Sequence, residues 1–246
     1  ALDIVSTVSG VLLPRMTLAQ RDSIPAHIAG MVLYRTDSKV LQMYNGTDWV
    51  SVATIADANG TVVICSQTWK DKNLSTSTYR DGSVIPNITN QAEWAALTTG
   101  AYCYYNNDSA TYAATYGKLY NWYAVNDVRG LAPVGWHIPT TLEFSTLSTC
   151  LGGDLISGGK LKELGTTHWI DPNTGATNSS GFTGLPSGYR FSDGSFNTIT
   201  TFGYFWTALE TNVTQGWYEY LKYNTTAFNL NFTNKAAGFS VRLIKD

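Results

Sequence analysis

Three histidines and three cysteines are the residues best suited to metal or nucleophilic chemistry, and their spacing serves neither. His27, His137 and His168 stand far apart, with no His-x-x-x-His pair, and Cys65, Cys103 and Cys150 form no Cys-x-x-Cys. A zinc site draws on about four ligands with local pairing. No Gly-x-Ser-x-Gly elbow is present to hold a nucleophilic serine. Asp127, Glu143, Glu163, Asp171, Glu210 and Glu219 are candidates for a general acid and base, but no spacing brings two of them together by local geometry. Gly152-Gly153 and Gly158-Gly159 lack the Lys-Ser/Thr that completes a phosphate loop. His137, between Trp136 and Ile138 just ahead of an expected helix, reads as a hydrogen-bonded structural residue. The expectation is a protein that is not an enzyme and needs no cofactor. Loop Asp and Asn residues leave Ca²⁺ as the open alternative.

Aromatic side chains carry more promise. The chain holds eight Trp and fifteen Tyr, more than a core of this size needs. Such rings stack on the apolar faces of sugars while their N–H and O–H groups find polar partners. Trp122, Trp136 and Trp206 are expected in the core. Segment 204–234 mixes Tyr, Asn and Thr as binding loops do, setting rigid aromatics beside adaptable polar groups. Tyr204, Trp217, Tyr218, Tyr220, Tyr223, Asn224, Asn229 and Asn231 are therefore the candidate ligand-binding residues. The plainer alternative is a set of ordinary solvated strands and loops.

The elements that must position these residues follow from periodicity and turn chemistry. Leu119, Trp122, Tyr123 and Val125 have near-helical spacing, predicting a helix over Lys118–Asn126. Thr140-x-x-Glu143 fits a capping box, and Leu142, Phe144, Leu147 and Leu151 form a stripe that Gly152-Gly153 ends. Beyond it, aromatics in short segments broken by Gly, Asn and Asp predict short strands and long loops. TVVICSQTWK reads as the first strand of this domain, 62–246. The small polar run 54–61 (TIADANGT) marks a boundary, with the linker at 57–61. Before it, residues 1–56 form a separate unit. There Thr17 caps a short helix over LAQRDSI, Pro25 ends it, and MVLYRT and VLQMYN make a hairpin about Asp37-Ser38-Lys39. Asn45-Gly46 then turns the chain into Trp49 and Val50. A unit of about 56 residues buries too little surface for an independent core, so it is expected to lean on a neighbour.

Composition narrows the function classes. Charged residues are 14% of the chain, against roughly 25% in ordinary soluble proteins. Asn, Thr, Ser, Gly and Tyr replace them, which suits work outside a cell or on a particle. Net charge is -2 with no basic stripe, so nucleic acid is not an expected partner. No apolar run approaches the roughly 18 residues of a membrane span, so membrane insertion is not expected. The chain opens abruptly on ALDIVSTVSG without a signal-peptide pattern, as a processed product or part of something longer would. An odd cysteine count leaves at least one free thiol, and the plain expectation is three small buried residues.

GKLYNWYAVNDVRGLAPVGWHIPTTLEF (117–144), GGKLKELGTTHW (158–169), ATNSSGFTGLPSGYR (176–190) and GFSVRLIKD (238–246) resemble the Fibrobacter succinogenes major paralogous domain, from about residue 62 to the C-terminus. That family belongs to bacterial surface proteins and phage fibres. The resemblance implies an α+β, C-type lectin-like fold: two helices, short twisted antiparallel strands and long loops. In lectin-like proteins diversified by retroelements the variable face lies just before the final strand, here within 204–234. Family members often carry a final-strand cysteine where this chain has Leu243, which would leave Cys103 as a partner that has lost its disulfide. Formylglycine-generating enzymes share the broad fold, and HIPTTLEF echoes one of their helix starts. Their chemistry needs a C-terminal cysteine pair, and no cysteine follows Cys150. The Glu-Pro-Asn, Gln-Pro-Asp and Trp-Asn-Asp motifs of calcium-dependent lectins are also missing.

GVLLPRMTLAQRDSIPAHIAGMVLYRTDSKVLQMYNGTDWVSV resembles a segment of phage tail and head fibres and large bacterial surface proteins. It implies a homotrimer joined to a larger fibre, virion or surface assembly through residues 1–56. The expected function is receptor binding or adhesion at the tip of a phage fibre, with residues 204–234 presented to a host cell-surface glycan or protein. The alternative is a structural decoration or spacer of a virion or bacterial surface assembly, with no ligand of its own. The expected location is the virion surface, or alternatively the bacterial cell surface or extracellular space.

Overall fold

The computed structural model describes residues 13–37, 40–53 and 60–246. Most of the expected linker (57–59) and the hairpin residues Ser38 and Lys39 lie outside them. The chain divides into two units, 1–55 and 56–246.

In the first unit, Thr17 and Gln20 form a capping box that opens helix α1 (Leu18–Asp22). Each supplies an acceptor for the other's backbone N–H, which satisfies donors a helix start leaves free. One sheet runs in the order β1 (Arg15–Met16), β2 (Val32–Arg35), β3 (Val40–Tyr44) and β4 (Trp49–Ala53). The first pair is parallel and the others antiparallel. Asn45 drives the last turn: its Oδ1 accepts from the N–H groups of Thr47 and Asp48. Among side chains described in this unit, only Leu33 and Gln42 are buried.

The second unit mixes helices and sheets. TVVICSQTWK is a hairpin, β5 (Thr61–Ile64) and β6 (Gln67–Lys70), rather than one strand. Cys65 takes φ +55 in its turn, a conformation its residue type does not advertise. Helix α2 (Gln91–Ala95), strand β7 (Tyr102–Cys103) and helix α3 (Ser109–Tyr116) follow. The expected helix over Lys118–Asn126 is half strand. β8 (Leu119–Asn121) pairs with β7, and only Trp122–Val125 coils, as α4. Asn121 sets the switch, since its Oδ1 caps the Ala124 N–H and also accepts from Ala101 N. Sheet pairing overrides the local period here.

After β9 (Trp136–His137), Thr140 and Glu143 form the expected capping box of α5 (Thr141–Cys150). Phe144 and Leu147 of its stripe are buried, whereas Leu142 is 73% exposed, being two residues and hence about 200° from Phe144. Helix α6 (Asp154–Leu161) was not expected from a segment holding Gly158-Gly159. These glycines are demanded by packing: a Cβ at Gly158 would run into the Ala227 carbonyl, and one at Gly159 into that of Gly175.

The remaining strands are β10 (Ser187–Arg190), β11 (Phe196–Ile199), β12 (Phe202–Asn212), β13 (Gln215–Lys222), β14 (Phe228–Asn234), β15 (Gly238–Phe239) and β16 (Ile244–Lys245). β12, β13 and β14 are longer than the short strands expected. The main sheet runs β14-β13-β12-β10-β15-β8-β7, with β11 on β10, and a second runs β5-β6-β16-β9. One core cluster gathers Tyr120, Trp122, Trp206, Phe239 and Val241. A second gathers Trp69, Phe144, Trp169, Phe182, Phe205 and Phe228. Because strand side chains alternate, β12 sends Trp206 into the first and Phe205 into the second. Trp122 and Trp206 are buried as expected, and Trp136 is half-buried beneath the Lys70 ammonium.

Three buried cations tie the loops between these elements. Lys162 Nζ donates to the carbonyls of Thr174, Lys222 and Thr225 at 2.9, 3.1 and 2.9 Å. Arg190 donates to Gly194 and Ile88, and Arg242 to Lys70 and Phe182. Their charged groups lie over the rings of Trp169, Trp94 and Phe182 respectively. Burial pulls the Lys162 pKa down to about 8 and that of Arg242 to about 9.

Two further links close the unit. Cys65 and Cys150 form a disulfide, with Cα atoms 6.6 Å apart, joining the β5–β6 turn to the end of α5. Both lie at exposed positions, so of three expected buried thiols only Cys103 remains, free and with its pKa pushed up to about 12 by burial. His137 bridges Glu143 (2.7 Å) and Asp246 (2.8 Å), holding the C-terminal residue against the start of α5. Burial alone lowers the His137 pKa, but its bonds to Glu143 and Asp246 outweigh that and hold it above the usual value. Burial raises that of Glu143, and the Thr140 N–H and His137 outweigh it in the other direction.

Replacing Cys150 by Ser, or adding reductant, is expected to lower the unfolding free energy by about 2–4 kcal/mol, read from denaturant unfolding. The histidine bridge gives a pH signature. Its His137 part is complete below the unfolded histidine value of 6.5 and is lost as pH rises through the raised folded pKa. Its Glu143 part is complete above 4.5 and is lost as pH falls through the lowered folded pKa. The stability difference between the parent and His137→Gln should therefore peak between pH 4.5 and 6.5 and shrink on both sides, in melts across a pH series.

Candidate functional site

Strand register decides which of the candidate residues meet. Tyr204 pairs with Tyr220 and Trp206 with Tyr218 across β12–β13. Tyr218 pairs with Asn231 and Tyr220 with Asn229 across β13–β14. Directly opposed residues share a face. Tyr204, Tyr218, Tyr220, Asn229 and Asn231 therefore stand on one side of the sheet, with Phe202 and Trp206. Trp217 stands on the other side, edge-on to Phe232 with ring centroids 5.4 Å apart. Tyr223 follows β13 and packs against the second core cluster, and Asn224 is exposed in the turn after it. The eight residues form no single surface, because a strand sends successive side chains to opposite faces.

Tyr204 needs a second correction. It is only 8% exposed, stacked on Phe239 at 4.9 Å and on Phe202 at 5.5 Å. It is the floor of the face, while Tyr218 and Tyr220 are half-buried and offer ring surface. Residues outside 204–234 complete the platform. Tyr189 of β10 stands 5.0 Å from Tyr204 and 4.2 Å from Phe191, and Phe202 lies 6.1 Å from Tyr220 with the Lys222 ammonium over its ring. Phe202 was legible as the two-residue alternation 202, 204, 206. Tyr189 arrives through the parallel pairing of Gly188 with Gly203, which no local pattern announces.

Apart from the Lys222 ammonium at its edge, the face is built from neutral groups. Burial, with Tyr218 and Asp193 nearby, pushes the Tyr189 pKa up to about 12. Burial and neighbouring Tyr220 raise that of Tyr218, and burial raises that of Tyr204 well above the ordinary phenol value. These phenols stay protonated at neutral pH, each able to donate and accept. The Asn231 Oδ1 is engaged by the Phe232 N–H at 2.8 Å, and Asn231 is exposed two residues along the strand from Asn229 on the same face. The arrangement offers ring stacking framed by neutral hydrogen-bonding groups.

Most of the carboxylates that could have supplied acid–base chemistry are engaged elsewhere. Asp127 pairs with Arg129, Glu143 with His137, Glu163 with His168 and Glu210 with Lys235. Glu219 is buried on the side of the sheet opposite the tyrosines, where burial and nearby Asp154 push its pKa up to about 8. Among the described residues, no group of three or more His, Cys, Asp or Glu is placed to hold a metal ion.

A family model described as Fibrobacter succinogenes major domain matches residues 62–245. A second, described as phage tail like trimerisation region, matches residues 1–67. No curated protein and no solved structure matches the chain.

The division between floor and surface is testable by unfolding alone. Tyr204→Ala is expected to cost about 3–5 kcal/mol, as for a buried aromatic, and Tyr220→Ala about 1 kcal/mol. Urea denaturation of the two variants measures both; equal losses would remove the distinction.

Proposed function

The chain belongs to the Fibrobacter succinogenes major domain family, and from that premise we propose that it is a non-enzymatic receptor-binding protein at the tip of a phage fibre. Its coarser character is that of a fibre-like or surface protein with an N-terminal trimerisation region, which serves oligomerisation and attachment to a larger assembly. The thin core of the first unit, with Leu33 and Gln42 its only buried described side chains, agrees with a unit completed by neighbouring copies. The proposed assembly is a homotrimer. A virion or extracellular surface location fits the exposed Cys65–Cys150 disulfide, since such bonds persist in oxidising surroundings. Among the described residues no helix is long and apolar enough to cross a membrane.

The observation that carries the finer reading is the half-exposed platform of Tyr189, Phe202, Tyr218 and Tyr220 bordered by Asn229 and Asn231. Sugar rings present C–H faces to aromatic rings and hydroxyls to amides and phenols, so the proposed ligand is a host cell-surface glycan, or a protein surface of similar chemistry. The contacts are stacking and neutral hydrogen bonds, and need no metal or cofactor. The proposed frame is a C-type lectin-like domain, supported by the α+β make-up and the long loops. A second reading, a decoration or spacer that only packs against neighbours, is favoured by Leu230 and Phe232. They are 47% and 46% exposed on edge strand β14, on the side opposite the tyrosines.

A glycan array and a host-cell adsorption assay with the full chain separate the readings. The platform predicts binding that falls at least about tenfold, or about 1.4 kcal/mol, in a Tyr218→Ala/Tyr220→Ala double variant whose circular dichroism is unchanged. Binding unaffected by that variant would sink the site, and silence on both assays would favour the spacer. Light scattering should report three copies; a monomer at micromolar concentration would count against the trimer.

A further inference from the structure

A second concave site lies away from the tyrosine platform. A cleft of about 350 Å³ opens beside α4, lined by Tyr123, Asn126, Asp127, Arg129, Glu210 and Lys235 among others. Its four charged groups form two ion pairs. Arg129 grips Asp127 through two bonds of 2.8 Å, and Lys235 holds Glu210 while donating to the Val213 carbonyl and covering the Trp122 ring at 4.5 Å. Two cations and two anions cancel, so the cleft presents strong donors and acceptors with no net charge. Oε1 of Glu210, the Asn126 side-chain amide and the hydroxyl of Thr98, another lining residue, make no hydrogen bond among the described residues.

Behind the floor stands a buried phenol. Tyr79 is 2% exposed, and burial with the Asp127 carboxylate beside it pushes its hydroxyl pKa up to about 12. It abuts Gly100, which lines the cleft, so closely that a Cβ there would overlap it. The Arg129 guanidinium covers its ring at 3.9 Å. The phenol thereby backs the Asp127–Arg129 pair from behind the cleft.

We propose that this cleft binds one ring of a neutral sugar, with Tyr123 as its stacking wall and Asn126, Thr98 and Glu210 taking its hydroxyls. Hydroxyls both donate and accept, matching a lining that mixes carboxylate, amide, hydroxyl and cationic groups. Bonds to the ionised members are the stronger ones. A uronate or phosphate would meet Asp127 and Glu210 with no spare cation, since both cations are already paired. The volume is near the low end of the roughly 300–1,000 Å³ of small-molecule sites, suiting one ring rather than a chain. The site stands independently of the tyrosine platform.

Saturation-transfer NMR on the full chain tests it, with the methyl glycosides of glucose, galactose and mannose against glucuronate and inorganic phosphate. At least one neutral glycoside should receive saturation. Its affinity should fall at least about tenfold in Tyr123→Ala and in Asn126→Ala, and stay unchanged in the Tyr218→Ala/Tyr220→Ala variant. Asn126 is exposed, so its variant keeps the test valid if Tyr123→Ala unfolds. Preference for glucuronate or phosphate, binding indifferent to Asn126→Ala, or no transfer to any neutral glycoside overturns the proposal. Loss in the Tyr218→Ala/Tyr220→Ala variant alone assigns the sugar to the platform and overturns it too.

Discussion

The second unit depends on a few buried cations that gather backbone carbonyls. Its loops are long, and each loop residue brings a carbonyl that must find a donor or stay in water. Arg242 meets this near the C-terminus by donating to the carbonyls of Lys70 and Phe182 and to Asn73 Oδ1, joining three distant segments. Lys162 does the same for the segments at 174, 222 and 225. Arg190 draws in the run 88–90. Lys and Arg suit the task because they carry several donors and no acceptor. A ring beneath each charge adds attraction where water is excluded. Truncating any of them would leave at least one of these carbonyls without a donor, at about 1–3 kcal/mol.

With the loops held by these clamps, the main sheet can bury both sides of its central strand. Phe205 faces one cluster while Tyr204 and Trp206 face the other. The tyrosine platform is an outgrowth of that packing. Tyr204 rests on Phe239, and Tyr218 also touches Phe239, at 4.7 Å. Half of each exposed ring is therefore fixed by the core. Rings held this way lose little freedom on meeting a ligand, and the entropy of ordering side chains is a main penalty of association.

Legibility followed the range of the interactions. Thr17 and Thr140 announced their helices because a cap and its partner are three residues apart. The Asn45-Gly46 turn was legible for the same reason. Lys118–Asn126 was misjudged because its helical spacing competes with pairing to β7 and β15, which come from other parts of the chain. Helix α6 was hidden by glycines whose purpose is close approach to the backbone at 175 and 227. The Cys65–Cys150 link spans 85 residues and left no local trace. At the platform, segment 204–234 supplied the right residue types. Composition alone does not say that Trp217 and Tyr218 point to opposite sides, which requires the strand assignment and its register.

On the proposed function, the low charge of the chain and its trimerising N-terminal segment belong together. A platform of neutral phenols and amides has little field with which to steer a partner, so association rests on contact rather than attraction. Shallow stacking contacts of this kind give modest affinity in a single copy. Three copies held by the trimerisation region change that arithmetic, because a first contact makes the next ones intramolecular. Avidity can then exceed single-site affinity by about 10²–10⁴ without any new contact. A weak, sparsely charged and rigid face is in that setting well matched to a dense, repetitive surface, where several contacts form together. An isolated molecule bearing the same ligand would exchange quickly and be released.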